Sequence, residues 1–291
     1  MNKPRKLFLF IVFLISHVSG IEADNDLVRK KTPFDQSVDN IHSTSPSIHV
    51  SDKVWSQVFD FLLPDDHPAK NTLDEIFSSS RAIYNMESMI AAGFDHAIPQ
   101  HHTHIIVTRH PKLKGYVIKA YLDEQKYHEN QPEHYYWIKR VRGSRLIQAS
   151  IEAHHYESIF KVPRKWIYLL PDEPSPQAKS LHKMFILIEE DMNIYELEEN
   201  IHHWLNDTTE ELLKALYVVT TELGLRDCTR PTNAPYCLDG KIAFVDTQSF
   251  YEDVKFKGLL PCLSPPMKQY WRQLFKKRRL EGDAGCKMGK I

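Results

Sequence analysis

The sequence predicts an α+β protein, and three observations carry that prediction. Residues 104–108 and 116–121 are short runs of β-branched and aromatic residues joined by Pro111-Lys-Leu-Lys-Gly115, the pattern of two strands and a turn. Two more such runs, 166–170 and 184–188, follow a long amphipathic stretch at 134–160 that is expected to break near Gly143. From Glu189 onward the apolar spacing is helical, over 193–205 and 208–223.

The elements upstream divide into three parts. Lys3, Arg5 and Lys6 precede an apolar run at 7–16, and Val18-Ser19-Gly20 supplies small residues, so 1–20 reads as a secretory signal peptide. The run is shorter than the roughly 20 residues of a membrane span. No later segment is apolar enough to cross a bilayer, and an exported mature chain without a stable span is expected. Residues 21–51 are polar and aperiodic, a flexible leader. Residues 52–92 form a helical extension, with helices at 54–63 and 72–92 separated by Pro64-Asp65-Asp66; Thr72 and Glu75 make a capping box for the second.

Downstream, Asp207, Thr208 and Thr209 precede Glu210 and Glu211, a start signal for the helix at 208–223. Short strands at 236–238 and 242–245 flank an Asp239-Gly240 turn. A last helix over 265–279 ends in the basic run Lys276-Lys-Arg-Arg279, which complements a helix C-terminus.

The bulk properties exclude some functions. A net charge of −1 over 291 residues lacks the basic excess of a nucleic-acid surface. Cys228, Cys237, Cys262 and Cys286 form an even set that export would allow to make one or two disulfides, with three full connectivities open. They contain no Cys-x-x-Cys pair, which argues against zinc or thioredoxin-like chemistry. His96, His101, His102, His104 and His110 crowd one segment and would suit a His-rich metal-binding protein, but neither H-E-x-x-H nor a spaced carboxylate set accompanies them.

The chemistry is concentrated elsewhere. Asp227 is followed by Asn233, and a short apolar strand then delivers Asp246. Phosphoryl transfer uses one carboxylate to receive the acceptor's proton, and an amide with a second carboxylate to hold Mg²⁺ against nucleotide phosphates. Lys119 lies inside an apolar strand, where a phosphate-pairing cation would sit. Taken singly, Lys119 could snorkel and Asp246 could close a turn; their order along the chain makes the argument.

That order resembles the protein-kinase-like fold from Gly93 to Phe250. Lys119 matches the strand lysine, Leu225-Arg-Asp227 the His-Arg-Asp motif, Asn233 the metal-binding Asn, and Asp246-Thr-Gln248 the Asp-Phe-Gly motif. The resemblance implies a two-lobe architecture, with a small β-rich lobe at 93–188 and a reduced helical lobe with a basic tail at 189–291. It implies ATP and Mg²⁺ as ligands, Asp227 as base, Asn233 and Asp246 on the metal, and Lys119 on the phosphates. Glu152 would be the helix glutamate that orients Lys119, with Glu157 as substitute, and 189–192 would be the inter-lobe hinge. The acceptor would be a protein or a small molecule. The overall texture is also similar to secreted proteins of Chlamydia-like bacteria.

The sequence departs from the family in four places. No G-x-G-x-x-G precedes Lys119, Leu225 replaces the loop histidine, Asn233 stands one residue further from Asp227 than the motif has it, and the chain after Phe250 is short. These departures keep a second expectation open: a catalytically inactive pseudokinase acting as an interaction or effector protein.

Overall fold

A computed structural model of the protein describes residues 47–95, 105–125, 131–175 and 183–287, with side chains as far as Lys276. It is a mixed α+β structure. Helix α1 (Asp52–Val58) is followed by a 3₁₀ turn at Phe59–Phe61, then α2 (Lys70–Ser79) and α3 (Met86–Ala91). Strands β1 (Ile105–Thr108) and β2 (Tyr116–Tyr121) lead to α4 (Glu133–Ala153), then β3 (Phe160–Lys161), β4 (Lys165–Leu169) and β5 (Phe185–Glu190). The remainder is α5 (Leu197–Asn206), α6 (Glu210–Glu222), β6 (Ile242–Ala243), two 3₁₀ turns and α7 (Pro265–Lys287). The expected signal peptide, and the expected leader before Ser47, lie outside the described residues. No helix among the described residues is long and apolar enough to cross a membrane.

β1, β2, β5 and β4, in that order, form one antiparallel sheet, while β3 and β6 pair in parallel. Successive strand residues point to opposite faces, and β2 uses both. Ile118 and Ala120 enter a core with Leu73, Ile76 and Phe77 of α2 and Ile186 and Ile188 of β5. Val117 and Lys119 line a cleft on the other face. The stretch expected as an N-terminal extension therefore covers the sheet. A second core joins Leu146, Ile147 and Ile151 of α4 to α6, with Trp204, Phe244 and Trp271 fully buried. The long helix α4 contributes to this core and also packs on β4 and β5.

Several boundaries differ from expectation for local reasons. The helix expected over 72–92 is two helices. Ser80 is extended, Arg81 is held by a bidentate pair with Asp123 at 2.8 and 3.1 Å, and Asn85 caps α3 by accepting from Ser88 N. Thr72 and Glu75 do not form the capping box. α2 starts earlier, at Lys70, and Glu75 pairs instead with Lys112 at 2.6 Å. The helix expected from Asn193 starts at Leu197, because Asn193 takes a left-handed φ of 50° and Ile194 bridges to Cys237.

Gly143 does not break α4; the helix passes through it. A Cβ built there would stand 1.7 Å from the Thr247 carbonyl oxygen, so glycine is what lets α4 approach the chain just after Asp246. Cys228, Cys237 and Cys262 are free thiols, and the side chain of Cys286 lies outside those described.

At the start of α4, Glu133 Oε1 accepts the Met184 and Phe185 amides, whereas Oε2 is buried without a hydrogen-bond partner. Burial is the main cause pushing this carboxyl up from 4.5 to about 8. Between those pH values the folded chain holds a proton that the unfolded chain has released, so stability falls as pH rises across the window. Glu133→Gln keeps the amide acceptor and cannot ionise. Urea titrations of this variant should show a flatter pH dependence than wild type, with the greater gain at pH 8 than at pH 5. A wild-type slope preserved in the variant would assign it to other groups.

Candidate functional site

The sheet register brings Lys119 to its partner. Lys165 lies directly opposite Glu189, and Lys119 is opposite Leu187, one same-face step from Glu189. Both lysines therefore reach one carboxylate: Lys119 Nζ is 2.7 Å from Glu189 Oε1, and Lys165 Nζ is 2.8 Å from Oε2. The same two ammonium groups donate to the Val245 carbonyl, at 3.2 and 2.8 Å. A buried charge needs a partner of this kind, and here three strands are pinned to the residue before Asp246. Opposition by two cations overcomes the upward pull of burial and holds the Glu189 carboxyl low. Lys165 has a fully buried side chain, and burial pushes its pKa down to about 8.

Beyond Val245 the expected metal ligands come together. Val245 N donates to Asn233 O at 3.0 Å, and Asn233 Nδ2 donates to Asp227 O at 3.1 Å. Asn233 and Asp246 line the cleft that Lys119 also lines, a space of about 210 Å³. With its amide nitrogen committed to Asp227, Asn233 is left with Oδ1 as a donor atom for a cation; that oxygen accepts a longer bond, 3.3 Å, from Thr232. Asp246 is paired through Oδ1 with Arg140 of α4 at 2.7 Å. Burial pulls the Asp246 carboxyl up, but Arg140, then Lys119 and Lys165, outweigh it and hold it below its ordinary value.

Asp227 does not line the cleft but adjoins it through the Asn233 bond. Its Oδ1 is 3.2 Å from Lys255 Nζ and 3.6 Å from Arg230 Nη2, contacts at ion-pair distance outside hydrogen-bond geometry. Arg226 turns away to Glu252.

Glu152 is not brought to Lys119. It is exposed near the end of α4, accepting from Gln148 at 2.6 Å, and Glu157 is exposed as well. The physical reason is position on the helix: the turns of α4 that meet the site present Arg140 and Gly143, Glu152 lies about 18 Å further along the axis at 1.5 Å per residue, and the acid for Lys119 comes from β5. Sequence reading missed Glu189, Lys165 and Arg140 as site residues. A signal existed for the first two, since each charge abuts an apolar strand run and must find a partner if that strand is buried. The expected hinge, 189–192, does border the cleft.

Of the five histidines behind the metal-binding alternative, only His110 lies among the described residues. His96, His101, His102 and His104 lie outside the described residues. His110 is occupied, with Nδ1 accepting from Lys112 N and Nε2 at 3.1 Å from Ala92 O. No cluster of His, Cys, Asp and Glu suited to a metal occurs among the described residues.

No protein-family model matches the chain, and no curated protein matches it either.

Proposed function

We propose that the protein is an exported, protein-kinase-like protein whose cleft binds ATP with Mg²⁺. The observation that carries this reading is the convergence of Lys119, Asn233 and Asp246 on one cleft, with Asp227 adjoining it. The two cores support a two-lobe division, with the sheet, α2 and α3 around one and the C-terminal half of α4 with α5–α7 around the other. The apolar lining from Ile105, Val107 and Met192 suits a base ring, and Lys119 suits the phosphates. The oxygen donors also fit: Asp246 and Asn233 Oδ1 are hard ligands, and Mg²⁺ ordinarily completes its octahedron with water and phosphate oxygens.

When bound, Mg²⁺ would neutralise phosphate charge. The chain's own part is to hold the phosphates at Lys119, with Glu189 fixing that lysine. The Asp227 carboxylate would take the proton from an acceptor hydroxyl as its oxygen bonds to the γ-phosphorus and ADP leaves. The acceptor is a protein or a small molecule.

A second reading is an inactive binding protein on the same scaffold. Two observations favour it. Arg140 already neutralises Asp246, and the cleft volume lies below the roughly 300–1,000 Å³ of ordinary small-molecule pockets, so a nucleotide would be only partly enclosed.

Thermal unfolding with Mg²⁺–ATP tests the common element. At a hundredfold excess over Kd, binding adds about 2.7 kcal/mol to native stability. Wild type should therefore melt higher with ligand, and Lys119→Met and Asp246→Asn should not. An unshifted wild type, or an equal shift in Asp246→Asn, would remove the site. Asp227→Asn separates the two readings. In an active enzyme it should keep the shift and lose roughly 10²-fold or more in turnover; a wild type that binds without turnover supports the inactive protein.

A further inference from the structure

Arg140 has no part in the nucleotide-binding scheme above, yet it lines the cleft as a buried cation. It is 4 % exposed, its Nη1 is on Asp246 Oδ1, and its Nε is buried with no hydrogen-bond partner. The backbone around it is clamped. Thr247 Oγ1 donates to Arg140 O at 2.6 Å, and one turn further on Gly143 meets the Thr247 carbonyl. The helix cannot draw Arg140 away from Asp246 without parting α4 from the segment at Thr247, so the side chain alone is free to exchange partners.

Two ligands would act on this pair in opposite ways. A divalent cation gains Asp246 Oδ1 only by displacing the guanidinium, and at Oδ2 it approaches a carboxylate that already feels Arg140, Lys119 and Lys165. Asp246 accepts only from Nη1, whereas a phosphate, with more oxygens and more negative charge, gives the guanidinium acceptors for a bidentate pair of N–H bonds once the side chain swings to it, Nε included. Arg140 lines the same cleft as Lys119, so such a phosphate is within its compartment.

We propose that Arg140 is a positioning residue that guards the metal site: it holds Asp246 until a nucleotide phosphate draws it off, so that the anion and the divalent cation bind cooperatively and the cation alone binds poorly. The inference rests on the nucleotide reading and names the order in which that site is filled.

Mn²⁺ binding to the mature chain, followed by electron paramagnetic resonance with and without a non-hydrolysable ATP analogue, tests it without any turnover. For wild type, weak Mn²⁺ binding should tighten about tenfold or more with the analogue, within the usual range of coupling between sites. Arg140→Gln should bind Mn²⁺ alone about tenfold more tightly than wild type and lose most of that coupling, and Asp246→Asn added to it should cancel the gain. Arg140→Lys keeps a charge in place but not the planar fork; it should retain the low metal affinity and lose most of the coupling, which keeps the test decisive if Arg140→Gln does not fold. A folded Arg140→Gln with unchanged or weaker Mn²⁺ binding, or Arg140→Lys with wild-type coupling, would overturn the proposal and leave Arg140 as a structural ion pair. If Arg140→Gln gains Mn²⁺ affinity while the analogue binds no variant, the guarding role stands and the nucleotide reading falls. If Mn²⁺ binds none of them, both fall.

Discussion

Gly143→Ala should lower the melting temperature by about 6–12 °C and abolish nucleotide binding. The added methyl would lie 1.7 Å from the Thr247 oxygen and 2.8 Å from its carbonyl carbon, both backbone atoms that no rotamer change can move. Overpacking of a tight contact commonly costs about 1–3 kcal/mol, occasionally more, and here the upper end applies because α4 and the 246–247 chain must separate. About 3 kcal/mol at roughly 2–4 °C per kcal/mol for a domain of this size gives the stated range. Separation would also part Arg140 from Asp246 and carry Asp246 away from Lys119. Circular dichroism melts and an ATP titration check both effects. A variant that melts and binds like wild type would mean that α4 does not press on Thr247.

Glu189→Ala should be nearly as damaging by a different route. Glu189 is 4 % exposed and is the shared counter-charge of Lys119 and Lys165. Removing one member of a buried pair costs about 3–5 kcal/mol, because the remaining charge has neither water nor a partner. Here two ammonium groups lose their counter-charge at once and keep only the Val245 carbonyl. Lys165→Met added to Glu189→Leu should recover part of the loss, since an apolar replacement removes the more deeply buried of them. Urea unfolding of Glu189→Leu, Lys165→Met and the double variant gives the coupling. Additive losses would show that Glu189 and Lys165 do not depend on each other.

Much of this was legible in the chain. The β-type runs around Lys119 and before Asp246 are short enough, and bounded clearly enough by Gly, Pro and Asp, to place those two residues. Asn233 needed only a hairpin, with Asp239-Gly240 supplying the turn. What escaped depends on register and on which turns of α4 meet the site. Glu189 faces Lys165 only because β5 extends to Glu190 and pairs residue by residue with β4, which no local pattern states. α4 is buried on most of its circumference, so its apolar spacing could not say whether Glu152 or Arg140 meets the site. Gly143 looked like a helix breaker because the chain that presses on it lies a hundred residues away in sequence.

The most direct test of the central claim, that Lys119 sits where nucleotide phosphates bind, is labelling with an acyl-phosphate derivative of ATP. An amine beside the phosphates attacks the acyl carbon, forms a stable amide and releases the nucleotide. Peptide mass spectrometry should find the acyl group on Lys119, suppressed by excess Mg²⁺–ATP and reduced in Asp246→Asn. Labelling confined to exposed lysines such as Lys112, or a Lys119 label that excess ATP does not suppress, would contradict the account.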